Sequence, residues 1–155
     1  MSRSILCCII RRQKHKYPTS DNVKFARFDV QGRIRHGIVD GTGIRETSGP
    51  PMEPYSETGP THSLDQVRLL TPVSPSKVLA VGLNYVSHTP DSLKRYTQEP
   101  QGFLKAPSCL IGPGDPIVIP CNAGRIEAEG ELVVVMGRQA QNVRRAEALD
   151  YVLGY

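Results

Sequence analysis

The chain has no apolar run approaching ~20 residues, so nothing in it reads as a membrane-spanning helix. It has no Cys-x-x-Cys pair and no Cys/His cluster at zinc spacing among Cys7, Cys8, Cys109 and Cys121. Adjacent Cys7 and Cys8 are awkward disulfide partners, which points to reduced thiols and a cytoplasmic setting. Aromatic residues are scarce at 6%, while 13 Pro and 14 Gly are many for 155 residues, and this balance favours strands and loops over a helical bundle. No internal repeat is present. The formal charge of +4 is also missing from most of the chain. Residues 1–22 hold Arg3, Arg11, Arg12, Lys14 and Lys16 against Asp21 alone, which leaves 14 basic and 14 acidic residues in the remainder. The basic character belongs to a tail, and a nucleic-acid partner loses its support.

What is present is organised around Ile126-Glu127-Ala128-Glu129-Gly130-Glu131-Leu132-Val133-Val134-Val135-Met136-Gly137. Val133 to Val135 favour a strand, and a strand would turn Glu127, Glu129 and Glu131 to one face. Two readings follow. The carboxylates form a solvated edge-strand face that deters aggregation, or they hold a hard divalent cation that relieves their mutual repulsion.

In chain order, residues 1–22 read as a basic, disordered tail, with organelle targeting as a weaker reading. Alternation from Val23 to Val30, the turn Gln31-Gly32, and Arg33 to Val39 predict an antiparallel hairpin, followed by a turn at Asp40-Gly41. His36 falls inside it as an exposed or structurally bonded residue. Residues 47–63 read as a surface loop with no role assigned to His62, and Leu64 to Leu70 as a short connection. Pro72 and Pro75 mark a subdomain boundary, giving a small β unit over 23–75 and a second region over 76–155. Lys77 to Gly82 predicts a strand buried on both faces. Gly102 to Pro107 and Ile117 to Ile119 predict further strands. Cys109 reads as a small buried hydrophobe. Ala146, Leu149 and Val152 are spaced for a short amphipathic helix over Arg144 to Val152, ended by Gly154.

The stretches VGLNYVSH (81–88), GFLKAPSCLIGPGDPIVIP (102–120), EAEGELVVVMGRQAQNV (127–143) and ALDYVLGY (148–155) occur in the order seen in the fumarylacetoacetate hydrolase family. The chain resembles that family over residues 23–155. The resemblance implies a strand-rich α+β class, a mixed β fold incomplete at the C-terminus here, and a homodimer for the full-length family. It implies Mg²⁺ or Mn²⁺, with Ca²⁺ also accommodated, held by Glu129 and Glu131, while Glu127 is a flanking acid. His88 corresponds to the family's catalytic His. Asp91 falls where relatives place a Glu that pairs with it; Asp is one methylene shorter and here follows Pro90. Lys105 corresponds to a lysine near the pocket, and Tyr85 accompanies it as a substrate contact. A third metal ligand and a catalytic Lys are expected beyond Tyr155.

The implied activity is cleavage, decarboxylation or isomerisation of an enolisable 2-oxo acid or 1,3-diketo acid through a metal-bound enolate. The alternative is a truncated, non-catalytic family member that folds only in part or with a partner.

Overall fold

The computed structural model describes residues 10–11, 23–57, 59–85 and 99–155. It separates into two compact units, one made of Met1–Pro72 with Gly112–Tyr155 and the other of Val73–Ile111. The first unit is built on a six-stranded antiparallel sheet. Its strands are β1 (Ile10–Arg11), β2 (Lys24–Val30), β3 (Arg33–Asp40), β4 (Gly43–Thr47), β5 (Thr61–Ser63) and β6 (Arg68–Leu69). β2 to β5 run as a meander, while β1 and β6 share the remaining edge of β2, at Lys24–Phe25 and at Phe28–Asp29.

The hairpin between β2 and β3 forms where the alternation places it, with Phe25 opposite Ile38 and Val30 opposite Arg33. Gln31 and Gly32 both lie at positive φ (53° and 75°), the backbone of the turn whose twist matches flanking strands. Alternation divides the sheet into two faces. One carries the fully buried Phe28 and Ile44 with Ala26, and Val30, Val39, Leu64, Val67 and Leu69 pack around them. Burying a side chain such as Phe28 contributes about 1.5–3 kcal/mol. Gly37 lies between β2 and β4 on this face. A Cβ there would stand 2.5 Å from Ile44 Cγ2 and 2.6 Å from the Arg45 carbonyl oxygen, so the close approach, not the φ angle, requires glycine.

Residues 47–63 are not wholly loop, since they end in β5, and the connection 64–70 contains β6. Both strands are short and polar, and pairing to β4 and β2 creates them. His62, given no role from sequence, is a structural residue. Its ring packs on Phe28 at 5.4 Å, and its Nε2 lies 3.1 Å from Glu46 Oε2. Glu46 Oε1 also meets Arg35 Nε at 3.1 Å.

The opposite face carries Phe25 in a T-shaped contact with Tyr55 at 5.3 Å, and Arg27, whose Nη1 donates to the Thr71 carbonyl. His36 pairs across from Arg27 and is half-buried. Burial first, and then the Arg27 charge, lower its pKa below 6.5, against an opposing pull from Glu53. The unfolded chain therefore binds a proton that the folded chain refuses, and stability must fall as pH drops through 6.5 toward the lowered value. We expect the melting midpoint of His36→Gln to lose this acid-side slope, while the wild-type midpoint keeps it. Melts between pH 7.5 and 5 check it.

The rest of the first unit has little regular structure. β9 (Val135–Met136) pairs with β10 (Val152–Gly154), and Gly137 N–H donates to the Tyr151 carbonyl at 2.8 Å. Arg138 lies over the Tyr151 ring at 3.9 Å. Three sequence expectations are corrected here. Ile117 to Ile119 and Ile126 to Val134 are not strands, because no described strand offers them an edge to pair with. The expected amphipathic helix is a 3-10 helix over Arg145–Tyr151 with no buried residue, and its Leu149 is exposed. Its apolar spacing meets no packing surface among the described residues, and helices take most of their stability from such a surface.

The described residues of the second unit form a two-stranded ribbon of β7 (Val78–Gly82) and β8 (Gln101–Lys105), followed by a 3-10 turn at Pro107–Cys109. β7 is buried at Ala80 only and exposes Leu79, so burial on both faces does not occur; among the described residues no second layer covers the ribbon. Cys109 is exposed rather than buried for the same reason.

Candidate active site

Glu127, Glu129 and Glu131 lie in the irregular segment before β9, so no strand alternation aligns them. All three are exposed. Glu127 Oε1 is bound by Arg125 Nη2. Glu129 and Glu131 supply the hard oxygen donors that a small divalent cation takes. Among the described residues no three His, Cys, Asp or Glu gather as a metal-binding group. By its chemistry this pair fits such an ion as two of its ligands, the other positions going to water or to further carboxylates.

Tyr85 and Lys105 belong to the ribbon unit. β7 runs out at Gly82 and turns at Leu83, a non-glycine residue at φ 54°, two residues before Tyr85. Lys105 sits opposite Val78, at the far end of the ribbon from the Gly82–Gln101 pair. Four residue steps separate those ends, about 13 Å of backbone. Tyr85 and Lys105 are therefore held at opposite ends of one short scaffold. Phe103 lies between, on the face of Lys105, and the Lys105 ammonium stands 5.7 Å from its ring centre. Sequence reasoning passed over Phe103, although its i, i+2 relation to Lys105 in a strand was the available signal. His88 and Asp91 lie outside the described residues. Glu129 and Glu131 belong to the first unit, Tyr85 and Lys105 to the second, and each group is positioned within its own unit.

Comparison with known proteins identifies the family. Residues 77–155 match the family model described as fumarylacetoacetate (FAA) hydrolase C-terminal, and residues 23–72 match one described as Rv2993c-like, N-terminal. The class is a strand-rich α+β protein in which a small sheet domain precedes the hydrolase-type region. The chain belongs to the fumarylacetoacetate hydrolase family.

Protein Rv2993c of Mycobacterium tuberculosis is 39% identical over 135 residues, 87% of this chain and 49% of the relative. A 2,4-didehydro-3-deoxy-L-rhamnonate hydrolase of a Sphingomonas species is 38% identical over 86% of this chain and 51% of its own length. Among solved structures, a 2-hydroxyhepta-2,4-diene-1,7-dioate isomerase from Mycobacterium marinum superposes with a TM-score of 0.74 at 32% identity, covering 86% of this chain and 52% of that one. The chain spans about half the length of these relatives.

Proposed function

We propose that the protein to which this chain belongs is a divalent-metal-dependent enzyme acting on a small enolisable 2-oxo acid or 1,3-diketo acid. The observation that carries this is the family match over 77–155, which contains Glu129-Gly130-Glu131 in one segment. The relatives' names support the substrate class: a hydrolase of a didehydro-deoxy sugar acid, an oxaloacetate tautomerase from Xenopus laevis and a bifunctional isomerase/decarboxylase from Escherichia coli. These reactions share an enolate, so one site can serve any of them.

Glu129 and Glu131 would hold Mg²⁺ or Mn²⁺, which when bound supplies Lewis-acid stabilisation of developing negative charge. His88, turned by Asp91, takes a proton from water or from the substrate carbon. Lys105 attracts the substrate carboxylate as a point charge, and Tyr85 borders the substrate. Glu127 stays with Arg125 and off the ion. A homodimer acting in the cytoplasm completes this reading.

A second reading has its own observation. Val118 is 85% exposed, Leu132 77% and Ile117 76%, which is apolar surface that a finished fold covers. On that reading this chain folds only in part, or with a partner, and turns nothing over.

The test is a thermal melt of the chain with and without millimolar Mn²⁺ or Mg²⁺. An ion bound only by the folded state raises the midpoint. A cooperative transition that shifts upward supports the enzyme reading. A transition indifferent to both ions supports the second.

A further inference from the structure

Strand alternation and the ribbon register put Val78, Ala80 and Gly82 of β7 on one face with Gln101, Phe103 and Lys105 of β8. Among these six residues Lys105 carries the one charge and Phe103 the one aromatic ring. Phe103 is 47% exposed, so its ring is open to a ligand as well as to the ribbon. The β7 residues beside it are small. Ala80 pairs directly opposite Phe103, and a Cβ on Gly82 would stand 3.8 Å from Phe103 Cε1. The ring therefore extends across the ribbon as far as Gly82. The Lys105 ammonium lies over this ring, 5.7 Å from its centre.

A lysine ammonium ends a flexible four-carbon stem, and fixing it costs rotamer freedom. A carboxylate partner would fix the ammonium and neutralise it together. An aromatic ring attracts the cation through its quadrupole and leaves the charge in place. We infer that Phe103 is a positioning residue for Lys105, holding the ammonium over the ribbon so that a substrate carboxylate meets a charge already oriented. This rests on the reading that Lys105 attracts the substrate carboxylate. A group oriented beforehand loses less freedom when the ligand arrives, and the saving appears as affinity. At an exposed site a contact between a cation and a ring corresponds to about two- to fivefold in an equilibrium constant. Leucine at position 103 would keep the apolar bulk and lose the quadrupole, whereas tyrosine keeps both.

Nuclear magnetic resonance on the 155-residue chain, titrated with pyruvate in the absence of divalent ions, tests this. In the unaltered chain the Lys105 ε-methylene protons should lie upfield of those of Lys24 and Lys77, because the Phe103 ring current shields them. Phe103→Leu should remove that displacement and weaken pyruvate binding about two- to fivefold. Phe103→Tyr should restore both, which a merely structural role for the side chain would not require. The amide shifts of 78–82 and 101–105 show whether each variant keeps the ribbon. Lysine ε protons that coincide in the unaltered chain overturn the inference, and this outcome needs no variant to fold. Equal pyruvate affinity in the unaltered chain and a folded Phe103→Leu variant overturns it as well. A chain that shows the upfield displacement but takes up no pyruvate refutes instead the assignment of Lys105 to a carboxylate, which is a failure of the proposed function.

Discussion

Glu129→Gln and Glu131→Gln should each erase the rise in melting midpoint produced by millimolar Mn²⁺, and Glu127→Gln should leave it intact. The amide keeps the shape of the carboxylate but removes the charge that a hard cation demands. An ion at one hundred times its dissociation constant stabilises the folded state by about 2.7 kcal/mol, worth several degrees for a chain of this size. If Glu129 and Glu131 are the two protein ligands, losing either leaves one, which holds a hydrated ion weakly. Glu127 is bound by Arg125, and both side chains are exposed. Titration of the midpoint against Mn²⁺ for the three variants reads this directly. Equal loss in all three would refute the assignment of ligands.

Phe28→Ala should cost about 3–5 kcal/mol, the range for emptying a fully buried aromatic site. Phe28 has no exposed surface, shares its cluster with Ala26 and Ile44, and supports the ring of His62. The cavity would open beside Ile44 of β4 and His62 of β5. Against the ~5–15 kcal/mol of a typical domain, that loss consumes much of the stability of the N-terminal sheet. Ile34→Ala, in the same hairpin but half exposed, is the control and should cost well under 1 kcal/mol. Urea denaturation of both variants separates a core effect from a general weakening of the hairpin.

The β2–β3 hairpin was legible because three local signals agree there: alternation, a Gln-Gly turn and β-branched or aromatic residues on one face. β5 and β6 were not. Thr61-His62-Ser63 and Arg68-Leu69 have no strand pattern of their own and are strands only because β4 and β2 present edges to them. The acidic segment shows the converse. Glu127 to Val135 carries a strong strand pattern, yet pairing reaches only Val135 and Met136, because alternation without a neighbouring edge gains no ladder hydrogen bonds. Leu149 repeats the lesson for a helix, where spacing sets a face but only a packing surface makes it useful. At the candidate site, residue types and order pointed to the family. The Phe103 ring beside Lys105 and the ~13 Å ribbon between Lys105 and the Tyr85 end emerged only from strand register.

Every partner of β2, β3, β4 and β5 has been synthesised once Leu69 is made, and the meander from β2 to β5 pairs strands that are consecutive in the sequence. Such local pairing closes quickly compared with long-range contacts. At roughly 5–20 residues per second of translation, the 47 residues from Leu70 to Pro116 take about 2–9 s. The N-terminal sheet thus has time to form on the ribosome before Ile117 to Ile119 and Leu132 to Val134 emerge. Those sticky segments then appear beside a finished surface instead of an unfolded chain, which narrows the moment at which nascent copies can entangle.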